Sequence, residues 1–239
     1  MLYDAEGLQH VADPAALGAP AAAAWDEPRA IAAAAPRRRF GLRLQLALKR
    51  GVDIGASLGL IVLFAPLLLL IAAAILIIDR MPVLYLQRRY GRNAVPFTIL
   101  KFRTMTVAET GRAFTQAVPG DARVTRLGAF LRRTSLDELP QLLNVLVGHM
   151  SLVGPRPHAL VMEEEIFAKY PWARRRLDMR PGMTGLAQVR GLRGPTRRRD
   201  DALRRVEADV EFVAGWDFSR DIVVLLSTPA AWIFGRNAS

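Results

Sequence analysis

The longest apolar run in the chain, Ile54 to Ile78 (IGASLGLIVLFAPLLLLIAAAILII), contains no charged residue. It is long enough to cross a bilayer core, which takes ~20 residues of helix. Pro66 stands near its centre and predicts a bend there. The polar positions that bracket the run change its meaning. Arg37, Arg38, Arg39, Arg43, Lys49 and Arg50 stand on its N-terminal side, and Arg80, Arg88, Arg89, Arg92, Lys101 and Arg103 follow it. Lysine and arginine collect on the cytoplasmic side of membranes, and here both flanks are basic. The pattern predicts a re-entrant helix-break-helix that turns at Pro66 and leaves by the face it entered; a kinked spanning helix is the alternative.

After this segment the periodicity shortens. VLYLQ (83–87) and PFTILKF (96–102) alternate as strands do, with RRYGRNA between them as the turn of a β-hairpin. LGAFLRR (127–133) reads as a short amphipathic helix, and PQLLNVLVG (140–148) as a helix ended by Gly148. SLVGPRPH (151–158) is extended, because residues before proline avoid the helical region. HALVMEEEIFAKY (158–170) returns to helix, PGMTGLAQVRG (181–191) is an ordered loop, and 197–215 is a longer helix with a polar face. The last apolar stretch, 220–236, is short and contains Pro229, which suits an interfacial helix. No internal repeat is present. The expected fold is α+β and mostly helical: a disordered leader over 1–36, a basic helix with the membrane hairpin over 37–80, and a catalytic domain over 81–239 carrying interfacial amphipathic helices. The alanine- and proline-rich leader has no apolar core behind a short basic start, so it is not a signal peptide.

Composition adds charge to this outline. The 239 residues carry a net +11, and only Lys49, Lys101 and Lys169 among the 33 basic residues are lysine. An arginine-dominated surface suits phosphates, whether on lipid, nucleic acid or substrate. Nucleic acid fits poorly, since no recognition-helix motif is present and aromatic residues make up only 8%. The absence of cysteine excludes disulfides, thiolate metal sites and cysteine nucleophiles, and fits a reducing compartment. His10, His149 and His158 lack metal-ligand spacing.

Candidate chemistry centres on TSLDELPQLLN (134–144). Ser135 and Glu138 have the spacing of a capping box, but a helix starting there would hold Pro140 in its interior, at roughly 3 kcal/mol. A helix starting at Pro140 instead leaves Asp137 and Glu138 at a junction, where neighbouring carboxylates can be aimed separately and the helix N-terminus favours the charged form. Around them the sequence offers cations on stiff backbone: Lys101 and Arg103 either side of Phe102, Arg132 and Arg133 just before the acids, Pro155-Arg156-Pro157, and Arg180-Pro181-Gly182. Arginine's planar fork binds two phosphate oxygens at once. The set could surround a diphosphate, with Asp137 and Glu138 holding Mg²⁺, an ion that takes one or two carboxylates plus phosphate oxygens. Simple capping by both acids is the alternative.

Four ordered motifs carry a resemblance: Lys-Phe-Arg-Thr-Met (101–105), Arg-Arg-Thr-Ser-Leu-Asp-Glu-Leu-Pro-Gln-Leu (132–142), Ser-Leu-Val-Gly-Pro-Arg-Pro (151–157) and Arg-Pro-Gly-Met-Thr-Gly-Leu-Ala-Gln-Val (180–189). In this order they resemble the bacterial sugar transferases, the monotopic phosphoglycosyl transferases that begin lipid-linked glycan assembly. The resemblance runs from about Lys49 to Ile233. It implies transfer of a sugar-1-phosphate from a nucleotide diphosphate sugar, usually a UDP-sugar, to polyprenol (undecaprenyl) phosphate at the cytoplasmic face of the bacterial inner membrane. It further implies Asp137 as nucleophile, Glu138 as its partner in magnesium and proton handling, and Lys101, Arg103, Arg132 and Arg156 around the phosphates, with Arg180 and Gln188 as further substrate contacts. Exopolysaccharide or lipopolysaccharide assembly is the expected destination. The oligomeric state, including a homo-oligomer, stays open, as does the sugar.

The chain also departs from the family's habits. The break there is commonly Ser-Pro; here it is Ala65-Pro66, so the bend must rest on proline. Leu192 stands where arginine is frequent, and Leu186 where tryptophan is. Without a large N-terminal extension of further membrane helices, a minimal member is expected.

Overall fold

The computed structural model describes residues 41–107, 117–118, 120–192 and 199–234; the leader expected over 1–36 lies outside them. The apolar run forms a single helix, α1 (Leu42–Ala74), that passes into a wider π-helical turn at Ile75–Asp79 and ends at Arg80 in the left-handed region, φ 54°. Pro66 lies inside α1 and does not interrupt it. The expected helix-break-helix is therefore corrected to one continuous helix. Proline removes only one donor, and the ladder of a 33-residue helix absorbs the loss.

What α1 touches matters more than its length. Lys49, Asp53 and Ser57, spaced four apart, share a buried stripe. Lys49 Nζ pairs with Asp221 Oδ2 at 2.7 Å and donates to the Val153 carbonyl at 2.9 Å. Asp53 Oδ1 accepts from Ser151 Oγ at 3.0 Å and Leu152 N at 2.9 Å. Further along, Leu67, Leu68, Ile71 and Ile75 pack with Phe102 and Leu131. Both halves of α1 thus dock on the same globular body, while Val62, Leu63, Leu69, Leu70, Ile77 and Ile78 stay exposed.

Strands β1 (Leu84–Tyr90) and β2 (Pro96–Phe102) form the expected antiparallel hairpin, in register from Leu84↔Phe102 to Tyr90↔Pro96. Arg88 to Tyr90, read from sequence as turn, belong to β1; the turn is confined to Gly91–Val95, where Asn93 adopts φ 55°. Phe97 and Ile99 point inward to a core with Leu142, Val145, Met150, Phe212 and Trp216.

Helix α2 (Arg126–Arg133) is capped by Thr125 Oγ1, which accepts from Gly128 N at 2.8 Å. A Cβ on Gly128 would stand less than 3.0 Å from the Thr104 backbone, so glycine is what lets α2 press on the chain leaving β2. Helix α3 (Gln141–Val147) begins from Pro140 and stops at Gly148, φ 90°. Arg50 crosses from α1 to donate to the Val145 and Leu146 carbonyls, both at 2.7 Å, at the end where carbonyls lack helical partners. Next, β3 (Ser151–Val153) pairs in parallel with β4 (Gly182–Thr184). Segments expected to be an extended strip and a loop are therefore partners in a second sheet. Side chains on Gly154, Gly182 or Gly185 would each fall less than 3.0 Å from backbone across this pair. Helices α4 (Leu160–Lys169), α5 (Leu186–Val189), α6 (Arg199–Ala214) and α7 (Phe218–Phe234) complete the body, with a 3₁₀ segment at Pro171–Asp178 after α4. α7 runs through Pro229 and exposes Ile222, Val223 and Leu226 while burying Asp221 and Val224.

Candidate active site

The acidic junction is a single 3₁₀ turn, Leu136–Glu138, between α2 and α3. Ser135 enters it at φ 54° and makes no side-chain cap, so the capping-box alternative does not apply. Glu138 instead turns to two cations from distant parts of the chain. Lys101 Nζ, from β2, lies 2.7 Å from Oε1. Arg156, held between two prolines, donates Nη2 to Oε1 at 2.5 Å and Nη1 to Oε2 at 3.2 Å. This two-pronged, charge-assisted geometry is the strong form of the interaction.

Asp137 is treated differently by the fold. Among the described residues no hydrogen bond or ion pair engages its carboxylate, although the charges of Lys101, Glu138, Arg132 and Arg156 all act on it. Burial, reinforced by the Glu138 charge, pushes its pKa up to about 6 against the pull of the three cations. Burial also acts to raise Glu138, but Arg156 and Lys101 outweigh it and hold that carboxyl well below the usual carboxylate range. Adjacent acids have been driven apart: one is a fixed anion that anchors cations, the other an unpartnered group that titrates near neutrality. Such divergence marks paired carboxylates with different chemical tasks.

The remaining residues singled out by sequence fall into two groups. Arg132 is exposed, with Nη1 3.4 Å from Met105 Sδ, and its charge reaches Asp137. Arg103 anchors through its backbone to the Val83 carbonyl at 2.9 Å, and its Nε is buried without an acceptor. Arg180 and Gln188 form no hydrogen bond or ion pair with either acid. The charges bearing on Arg180 are Arg50, Arg92 and Asp53. Gln188 is buried, donating Nε2 to the Met183 carbonyl at 3.3 Å. The close approach of Gly154 to the Arg180 and Pro181 backbone joins the two motifs by main chain; the expectation that Arg180 and Gln188 contact substrate is not addressed by these contacts.

The sequence model for bacterial sugar transferases matches residues 44–235. The chain belongs to the bacterial sugar transferase family. It is 48% identical over 190 residues to the UDP-glucose:undecaprenyl-phosphate glucose-1-phosphate transferase of Caulobacter vibrioides, covering 80% of this chain and 71% of that protein. It is 45% identical over 192 residues to the exopolysaccharide production protein PSS of Rhizobium leguminosarum bv. phaseoli, covering 77% and 94%. Against the UDP-glucose:undecaprenyl-phosphate glucose-1-phosphate transferase of Escherichia coli K12 the identity is 43% over 181 residues, 76% of this chain but only 39% of the longer relative. By class the chain is a phosphoglycosyl transferase.

In this sugar transferase a buried group behind the acidic pair escaped sequence reasoning. Arg176, 1% exposed, donates to Glu163 Oε1 at 2.6 Å, to Asp209 Oδ2 at 2.6 Å and to the Arg156 backbone carbonyl at 2.6 Å, and lies 2.8 Å from His158 Nδ1. Burial first, then the Arg176 charge, drives the His158 pKa well below its ordinary value, so the ring is neutral and accepts at Nδ1. Arg176 therefore supports the backbone from which Arg156 reaches Glu138. The signal was present in α4 and α6: Glu163 and Asp209 occupy the same helical faces as Phe167 and Val206, positions that apolar periodicity reserves for the core.

Proposed function

We propose that this sugar transferase moves glucose-1-phosphate from UDP-glucose to undecaprenyl phosphate by way of a covalent phosphosugar on Asp137, and that the product feeds exopolysaccharide assembly. The observation that carries the reading is the contrast at the junction: an unpartnered Asp137 carboxylate beside a Glu138 locked to Lys101 and Arg156. The names of the relatives supply glucose and undecaprenyl phosphate. Asp137 attacks the phosphorus next to the sugar, UMP departs, and the phosphate of the lipid then displaces the aspartate. Using one carboxylate twice lets a soluble and a lipid reactant visit in turn. Arg156, Lys101 and Arg132 neutralise charge on the transferring phosphoryl group.

Mg²⁺ fits this donor set when it arrives with the diphosphate. Asp137 has free oxygens, whereas both Glu138 oxygens already carry cations, so the ion would be held by Asp137, with Glu138 in support, and by phosphate. There it would supply charge stabilisation on phosphate oxygens. Chelation should abolish UMP release and added Mg²⁺ restore it; undiminished release in chelator would remove the metal.

The membrane reading rests on α1. Contacts with one globular body extend from Lys49 to Ile75, which leaves no uninterrupted span of ~30 Å for a bilayer core with the body on one side. With basic flanks at both ends, the helix is embedded from the cytoplasmic face, and the exposed apolar faces of α1 and α7 meet lipid. The chain has no native cysteine, so Arg43→Cys and Arg92→Cys should both label from the cytoplasmic side of sealed vesicles; labelling from opposite sides would restore a spanning helix. For the activity, UMP release is measured with undecaprenyl phosphate in lipid discs across a panel of UDP-sugars. Release should be fastest with UDP-glucose, and a preference for another UDP-sugar would overturn that choice of donor.

A further inference from the structure

Strand β2 carries Lys101 into the site, and one of its edges is bonded by a side chain rather than by another strand. The hairpin is a two-stranded sheet, so β2 pairs with β1 on one side alone. On the edge away from β1, Leu100 N donates to Asn144 Oδ1 at 2.9 Å, and Asn144 Nδ2 donates to the Thr98 carbonyl at 2.8 Å. Alternate residues of an antiparallel strand turn their backbone groups to the same edge, which is why one amide meets both. A backbone donor and a backbone acceptor fix which end of the amide faces which. Asn144 belongs to α3 and is buried, and its amide stands where a neighbouring strand would otherwise pair.

The two elements joined in this way hold the two ends of an ion pair. Leu100 immediately precedes Lys101, and α3 begins just beyond Glu138, from Pro140. Lys101 Nζ lies 2.7 Å from Glu138 Oε1. Phe97, Ile99 and Lys101 alternate along β2 and share a face; Phe97 and Ile99 are packed in one core with Leu142 and Val145 of α3. Apolar packing of this kind presses β2 on α3 but is non-directional, so it does not fix how far the strand slides. The amide does, because its two bonds are met at one register only. A single step of the strand is ~3.3 Å, more than the 2.7 Å that separates Lys101 from Glu138. The far end of α3 is held independently, by Arg50 on the Val145 and Leu146 carbonyls.

We propose that Asn144 is a positioning residue for sugar-phosphate transfer: by bonding Thr98 and Leu100 it sets the register of β2 that brings Lys101 to the acidic pair. The proposal rests on the role given above to Lys101, neutralising charge on the transferring phosphoryl group. Asn144 touches no reactant and acts through Lys101. A displacement of 1 Å at a reacting centre can cost about 100-fold in rate, so a bond that fixes register affects turnover even where the fold survives its loss. A merely structural role for the same two bonds has a different signature, a less stable protein whose folded fraction turns over normally.

The test is a double-mutant cycle on the full chain in lipid discs. UMP release is followed at saturating UDP-glucose and undecaprenyl phosphate, with enough enzyme to keep slow variants measurable. Thermal unfolding in the same discs shows which variants are folded at the assay temperature. Asn144→Ala should slow UMP release about 10- to 100-fold. In Lys101→Met no ammonium remains to be placed, and adding Asn144→Ala there should slow release by less than about 2-fold more. Where Asn144→Ala is unfolded at the assay temperature, Asn144→Asp takes its place in the cycle with the same two expectations. That variant keeps the shape and the acceptor for Leu100 N but loses the amide donor to the Thr98 carbonyl. Equal slowing by the Asn144 variant in both backgrounds, or no slowing in either, would overturn the positioning role. Lys101→Met with wild-type UMP release would instead remove Lys101 from the reaction, and with it the reading on which this proposal rests.

Discussion

Asp137→Asn is expected to stabilise the protein in the same stroke that removes its activity. The ordinary value for an aspartate is 3.8, and in the fold Asp137 is pushed up to about 6. The raised value means that the folded state holds this proton more tightly than the unfolded chain. As pH rises from 4 the unfolded aspartate ionises first, stability falls until about pH 6, and the whole penalty persists above that. Two pK units correspond to about 3 kcal/mol; partial exposure of the carboxylate lowers the recoverable part to about 2 kcal/mol. Asparagine keeps the shape and abolishes the charge, so at pH 7.5 the variant should melt higher by about 4–8 °C for a body of this size. Thermal unfolding in one detergent at several pH values reads the difference. The advantage should be full at pH 7.5, shrink through pH 5 and vanish near pH 4. A variant no more stable than wild type at pH 7.5, or one with a pH-independent advantage, would refute the claim that burial strains this carboxylate.

Other consequences concern the same site and its supports. The proposed mechanism needs Asp137 ionised to attack, so kcat/KM should fall about tenfold per pH unit below pH 6; a flat acid limb down to pH 5 would remove Asp137 as the titrating group. Arg176→Leu leaves Glu163 and Asp209 buried without their cation and should cost about 3–5 kcal/mol in chemical denaturation; a loss under 1 kcal/mol would show the cluster to be slack. Gly154→Ala drives a methyl into the Arg180 carbonyl and the Gly182 amide and should lower stability by about 1–3 kcal/mol, read by thermal unfolding; wild-type stability would show that the β3–β4 approach can relax.

Much of this architecture was written locally. Pro140 and Gly148 delimit α3 by backbone chemistry that needs no tertiary partner, and the alternation in β1 and β2 announces the hairpin. The acidic junction was legible because Asp137 and Glu138 sit in one contiguous motif whose placement before Pro140 rules out an ordinary helix start. Where long-range contact decides, local pattern failed. Strands β3 and β4 are three residues each and meet through glycines some thirty positions apart, so neither shows strand periodicity. Arg156 and Arg180 look alike in sequence, each beside proline, yet one binds Glu138 and the other lies among Arg50, Arg92 and Asp53. Pro66 promised an interruption that the long apolar ladder carries through. Arg176 was hidden among neighbouring arginines, because only the fold reveals which of them is enclosed.

The most direct measurement is a mass spectrum of the protein after brief exposure to UDP-glucose with no lipid acceptor, followed by peptide mapping. The account predicts a hexose-phosphate adduct on the peptide containing Asp137, discharged by undecaprenyl phosphate and missing from Asp137→Asn. Turnover with no adduct at any time, or an adduct on a different residue, would contradict it.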